Sequence, residues 1–117
     1  MSNILRLETN ARMSQIVVHE NTVYLSGQVA LNAPGAPVAE QAHDILTSID
    51  RLLAQVDTDK SKLLSATIWL ANIADFAEMN TVWDDWVALG ATPARACVEG
   101  CLAAPQFTVE IAVIAAR

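Results

Sequence analysis

The sequence predicts an α+β fold in which two helices cover one face of a mixed β-sheet. Three observations lead there. Short β-rich runs occur near both ends of the chain and in its middle, and two longer stretches carry apolar residues at helical spacing. The length, 117 residues, suits one core and not two, so residues 1–117 are expected to form a single domain.

The first β-rich runs are Ser14–His19 and Thr22–Ala30, and the short Glu20-Asn21 step between them suits a hairpin. The turn-rich patch Asn32-Ala33-Pro34-Gly35-Ala36-Pro37 ends this part of the chain. Beyond it, Ala42, Ile45, Leu46, Ile49, Leu52, Leu53 and Val56 recur on one side of a helix expected over Ala39–Val56, with Asp44, Asp50 and Arg51 toward solvent. Asp57-Thr58-Asp59-Lys60 breaks that helix, and Leu63–Leu70 reads as a strand. Asp75-Phe76-Ala77-Glu78 has the spacing of a capping box with Asp in the cap position. Phe76, Met79, Trp83 and Trp86 then form one stripe, read as helix-to-sheet core, with Gly90 as the stop. Two extended runs, Ala94–Leu102 and Phe107–Ala115, complete the order strand, strand, helix, strand, helix, strand, strand.

Apolar residues make up 53% of the chain and charged ones 17%, which is rich in apolar content for a soluble monomer. No run approaches the roughly 18 apolar residues of a bilayer span. The surplus therefore points to burial between subunits, and one sheet face left without helices points the same way. A formal charge of -6, with seven scattered Lys and Arg, opposes nucleic-acid binding. The N-terminal Met1-Ser2-Asn3-Ile4-Leu5-Arg6 lacks the pattern of a secretory leader. Cys97 and Cys101 lie four residues apart in one expected strand, about 13 Å, against the roughly 4.4–6.8 Å of bridged Cα atoms. Free thiols and no leader predict a cytoplasmic protein.

Chemistry concentrates in the last two runs. Alternation sets Arg95, Cys97, Glu99 and Cys101 on one face of their strand. On the next strand Val109, Ile111 and Val113 share a face and Glu110 takes the other, where a carboxylate needs solvent or a partner. Paired as a hairpin, these strands would set Arg95 and Glu110 at distant ends, to be joined only across a subunit boundary. Arg95 suits recognition of a carboxylate through two parallel hydrogen bonds. On spacing alone, an ordinary surface arginine and an edge glutamate explain the pair at least as well. His19 and His43 have no metal-ligand spacing, Cys97 has no partnered histidine, and no phosphate, dinucleotide or metal motif is present. No cofactor is expected.

Four segments carry a specific resemblance. Val23-Tyr24-Leu25-Ser26-Gly27-Gln28, Asp75-Phe76-Ala77-Glu78-Met79-Asn80, Pro93-Ala94-Arg95-Ala96-Cys97-Val98 and Val109-Glu110-Ile111 through Ile114-Ala115 are similar, in order, to the hallmark segments of the Rid (YjgF-type) family. The resemblance implies a chorismate-mutase-like fold, a homotrimer with a ligand cleft at each subunit boundary, and cofactor-free hydrolysis of enamines and imines such as 2-aminoacrylate to 2-keto acids and ammonia. It implies that Arg95 grips the substrate carboxylate and Glu110 orients or activates water. Ser26, Gly27 and Asn80 would line or brace the cleft, with Cys97 as a neighbour rather than a nucleophile. Met13 stands where relatives carry a cleft tyrosine, in Ala11-Arg12-Met13-Ser14-Gln15, and Ala112 stands where a second glutamate is common. These departures bear on substrate choice, not on fold. A non-enzymatic member that binds a small carboxylate, or acts as a chaperone or regulator, is the alternative reading.

Overall fold

The structure, a computed structural model, describes residues 3–117. The chain opens with a strand that the sequence reading did not include, β1 (Ile4–Thr9). It alternates Leu5 and Leu7 with charged residues, but it is short and mostly exposed, so its pattern is weak. It pairs antiparallel with β2 (Ser14–His19), and β2 pairs with β3 (Thr22–Leu25) through the expected hairpin. Glu20 takes φ 56°, the left-handed conformation that tight hairpins require.

The run expected over Thr22–Ala30 breaks at Ser26-Gly27. A separate two-residue strand, β4 (Gln28–Val29), follows and pairs only with the last strand. The break has a cause: the Ser26 hydroxyl donates to the Ser14 carbonyl oxygen at 2.5 Å, and the Gln28 amide donates to the Ser26 carbonyl at 3.0 Å. Side chains here satisfy the backbone in place of a continuous ladder.

Helix α1 (Val38–Ala54) buries Ile45, Leu46, Ile49, Leu52 and Leu53 as its spacing predicts. Asp57, at φ 60°, ends that segment. Strand β5 (Leu63–Leu70) leads into helix α2 (Phe76–Trp86), strand β6 (Ala94–Glu99) and strand β7 (Val109–Ala116). The capping box does not form: Asp75 makes no side-chain cap bond. Asn72 caps the preceding 3-10 turn by accepting from the Ala74 N–H at 2.9 Å, so the turn shifts the cap three residues upstream. Helix α2 stops at Trp86 rather than Gly90, because Val87 is already extended. Strand β6 likewise ends at Glu99, which leaves Cys101 outside it; both cysteines are free.

The strands form one sheet in the order β1-β2-β3-β7-β5-β6, with β4 also on β7. Only β5 and β6 run parallel among these pairs, so the sheet is mixed as expected. The last two strands are not a hairpin, since β5 lies between them. Both helices pack on the face formed by Ile16, Val18, Val23, Ala66, Ile68, Leu70, Val109, Ile111 and Val113, all buried. The opposite face carries Val17, Tyr24, Thr67, Trp69, Val98, Ala112 and Ile114, and no helix covers it. Tyr24 and Val98 remain 43% and 46% exposed there. No helix among the described residues is long and apolar enough to cross a membrane.

Glu8 ties the edge strand to α1. Its carboxylate accepts from Gln55 at 2.6 Å and Arg51 at 3.1 Å, and these contacts, that of Gln55 first, hold it below the usual carboxylate range. The connection into β7 is held by Gln41, fully buried on the apolar side of α1. Its amide donates to the carbonyls of Ala36 at 3.0 Å and Gln106 at 2.8 Å, and its oxygen accepts from the Thr108 N–H at 2.8 Å. Removing that side chain leaves the Ala36 carbonyl and the Thr108 N–H without this partner, whereas the Gln106 carbonyl keeps the Gly35 N–H at 2.9 Å. Gln41→Ala is therefore expected to lose about 2–4 kcal/mol of unfolding free energy in urea titration; a loss below about 0.5 kcal/mol would contradict this role.

Candidate active site

The seven residues expected at the site fall into two groups on opposite faces of the sheet. In the parallel pair, Ala66 stands opposite Arg95, Ile68 opposite Cys97 and Leu70 opposite Glu99. Ala66, Ile68 and Leu70 belong to the buried, helix-covered face, so Arg95, Cys97 and Glu99 share it. On the other side of β5, Trp69 stands opposite Glu110, on the face without helices. Arg95 and Glu110 are thus two strands and three residues out of line. At about 4.8 Å per strand and 3.3 Å per residue, their Cα atoms lie roughly 14 Å apart, with side chains directed to opposite faces. One chain does not bring them together.

Arg95 sits at the sheet's edge, where α2 meets β6. Its Nη1 donates to Asn80 Oδ1 at 2.8 Å. Its guanidinium carbon lies 5.4 Å from the ring centre of Trp83 and 6.0 Å from that of Phe76. Phe76, Asn80 and Trp83 are spaced i, i+4, i+7, one stripe of α2. The stripe read as core is therefore divided. Met79 and Trp83 are buried, Phe76 is exposed beside Arg95, and Trp86 donates to Asp50 at 3.0 Å. Among the described residues no carboxylate lies within ion-pair distance of Arg95. Glu99, its neighbour on the same face, accepts from the Ile73 N–H at 2.9 Å and so fastens the approach to α2 onto β6.

The second group gathers around the β3–β4 break. A Cβ at Gly27 would collide with the Glu110 carboxylate, so only glycine lets that carboxylate lie across the strand. Ser26 is pinned to Ser14, and the Gln28 amide donates to Gln15 Oε1 at 2.7 Å. Met13 is exposed at the end of the β1–β2 turn, where the Asn10 side chain accepts from the N–H groups of Arg12 and Met13 at 2.8 and 2.9 Å. Met13, Ser26, Gly27 and Glu110 form this group, while Asn80, Arg95 and Cys97 form the other.

The sequence reading missed Phe76 and Trp83 as companions of Arg95, and Gln15 and Gln28 as braces of Ser26. The i, i+4, i+7 spacing with Asn80 was the available signal, but a core stripe has the same spacing. Among the described residues no group of three His, Cys, Asp or Glu side chains is arranged to hold a metal ion. A concavity of about 460 Å³ between α1 and α2, lined by His43, Leu46, Asp50, Lys60, Asp85 and Trp86 among others, contains none of these residues. Its tryptophan is already engaged by Asp50 and by the Lys60 ammonium, 5.3 Å from its ring centre.

A sequence profile described as Endoribonuclease L-PSP matches residues 3–117. The chain belongs to this family, the YjgF or Rid family. Among curated relatives, a "RutC family protein" of Haemophilus ducreyi is 41% identical over 97% of this chain and 96% of its own length. A "2-iminobutanoate/2-iminopropanoate deaminase" of Bos taurus is 34% identical, over 89% of this chain and 79% of its own. Among solved structures, a YjgF family member from Neisseria meningitidis superposes with a TM-score of 0.95 at 46% identity, covering 99% of this chain and 96% of that one. The YjgF fold expected from the sequence is therefore the fold of this chain.

Within this family member, Cys97 is poorly suited to nucleophilic work. Burial pushes its thiol up, and the nearby Arg95 charge offsets that only in part. The thiolate consequently forms only above the ordinary thiol range. Mass-resolved maleimide labelling at neutral pH is expected to modify exposed Cys101 at least about tenfold faster than Cys97. Labelling of Cys97 should rise steeply only in alkaline buffer. Equal rates at neutral pH would contradict this.

Proposed function

We propose that the protein hydrolyses 2-imino acids and their enamine tautomers to 2-keto acids and ammonia. In this reading it acts as a homotrimer whose clefts join the Arg95 group of one subunit to the Glu110 group of another. The observation that carries the reading is Arg95 itself: an exposed guanidinium, oriented by Asn80, with no carboxylate partner among the described residues. Such a group is ready for a ligand carboxylate, which can take two parallel hydrogen bonds from it. The name of the cattle relative supplies the reaction class. The face without helices, with Tyr24, Trp69 and Val98 on it, supplies a reason to assemble. Free Cys97 and Cys101 suit a cytoplasmic setting.

The chemistry asked of the protein is modest. Arg95 fixes the substrate carboxylate and thereby the adjacent imine carbon. Glu110 takes a proton from water as the water oxygen bonds to that carbon, and returns the proton to nitrogen. Breakdown of the resulting carbinolamine cleaves the C–N bond, releases ammonia and leaves the keto acid. Positioning and one general base, the latter worth about 10²–10⁴-fold, are enough for a reaction that already proceeds in water. Met13 offers no hydrogen bond where relatives have a tyrosine, so the cleft should favour imines with apolar side chains. The family profile is described as an endoribonuclease. A net charge of -6 with scattered basic residues opposes a phosphate backbone as ligand.

The test is a semicarbazide-coupled assay with imines generated enzymatically from several amino acids. Arg95→Lys keeps the charge but not the fork, and both it and Arg95→Ala are expected to lose about 30- to 1,000-fold in kcat/KM, or about 2–4 kcal/mol, while remaining folded. Gly27→Ala should lose activity as well, by displacing the Glu110 carboxylate, without a large change in thermal stability. Wild-type turnover in Arg95→Lys would show that bidentate anchoring is the wrong idea.

A further inference from the structure

We infer that Trp83 is a positioning residue for substrate binding, its ring serving as a fixed platform that holds the Arg95 guanidinium with one edge turned out to the substrate. The inference rests on the reading of Arg95 as carboxylate anchor given above. Arginine has a long, flexible side chain, and on an exposed edge strand it would sample many orientations, few of which present two parallel N–H groups to a carboxylate. Here three contacts from α2 narrow that range. Asn80 accepts from Nη1 at 2.8 Å, and the guanidinium carbon lies 5.4 Å from the Trp83 ring centre and 6.0 Å from that of Phe76.

The two rings are not equivalent supports. Phe76 is 40% exposed and can move, whereas Trp83 is 5% exposed. Trp83 is also wedged against Trp86, with ring centres 5.4 Å apart at 51°. A cation over a desolvated indole face is attracted by the ring's quadrupole, more strongly than over phenylalanine. Asn80 occupies Nη1, the nitrogen nearer the side-chain stem. The edge made by Nε and Nη2 remains, and among the described residues no other side chain accepts from it. That edge can donate two parallel hydrogen bonds to a carboxylate. Trp83 touches no substrate atom in this account. It acts through Arg95.

A residue of this kind should affect KM and leave kcat nearly intact, because the anchor binds ground state and transition state alike. Loss of the platform in Trp83→Leu is expected to raise KM for 2-imino acids about tenfold. Trp83→Phe, which has a ring of lesser strength and a size near that of leucine, should recover most of that loss. Replacing residue 83 site-specifically with mono-, di- and tetrafluorotryptophan keeps the shape of the ring while draining its negative face. This series answers the question even where Trp83→Leu does not fold, and KM should climb with each addition of fluorine. Binding of pyruvate, a product-like carboxylate, should weaken in step. An unchanged KM across the fluorinated series, or equal impairment in Trp83→Phe and Trp83→Leu, overturns the inference while an inactive Arg95→Ala leaves the anchor reading standing. Full activity in Arg95→Ala removes the anchor and overturns both.

Discussion

Strand β5 governs the arrangement of everything that could do chemistry. It is hydrogen-bonded to β6 on one side and β7 on the other, with Ala66 opposite Arg95 and Trp69 opposite Glu110. Side chains on a strand alternate between faces, and these two registers differ by an odd number of residues along β5. A single chain must therefore send Arg95 to the helix-covered face and Glu110 to the open one. No rotamer change reverses that. A slip of one residue in either pairing would bring both side chains to one face, but it would also turn Ile111 and Val113, or Cys97, away from the core.

The same alternation divides the sheet energetically. Its covered face contributes a continuous apolar core with α1 and α2, including Ile16, Ile68, Leu70 and Ile111 at essentially zero exposure. Burial of each such side chain is worth about 1.5–3 kcal/mol, so this face fixes the fold. The open face is built from small and apolar residues, Thr67, Ala96, Ala112 and Ile114 around Tyr24, Trp69 and Val98. A second subunit would bury it at little desolvation cost, since few of its groups are charged. In the proposed assembly, the edge contacts of Arg95 and Asn80 and the crowding of Glu110 over Gly27 would form two halves of one cleft. Local packing orients each half: α2 supports the first and the Ser14–Ser26 and Gln15–Gln28 contacts support the second.

Much of this was legible in the sequence because periodicity carries it. The helix expected over Ala39–Val56 forms over Val38–Ala54, and Val109, Ile111 and Val113 share the buried face with Glu110 opposite. What failed depends on partners distant in the chain. Period-two alternation gave the faces of β6 and β7 separately, but nothing local says that β5 inserts between them, and so the hairpin considered for them does not form. The capping box failed because Glu99, twenty-six residues away, draws the chain at Ile73 into a 3-10 turn capped by Asn72. Gln41 looks like a polar interruption of an apolar stripe until its three backbone partners, in two separate loops, are known. At the site, the residue types of Arg95 and Glu110 were readable. The aromatic support of Arg95 and the glycine beneath Glu110 became visible only with the fold.

The central claim is that a working cleft takes Arg95 from one subunit and Glu110 from another, and mixing two inactive variants tests it most directly. Arg95→Ala and Glu110→Gln are each purified, co-refolded at equal concentration and assayed for imine hydrolysis. Random assembly in a closed ring restores about one-quarter of the clefts, those drawing Arg95 from a Glu110→Gln subunit and Glu110 from an Arg95→Ala subunit. The account predicts recovery of about that fraction of wild-type activity. Activity no greater than that of the separate variants, in assemblies shown by native mass spectrometry to contain both, would contradict it.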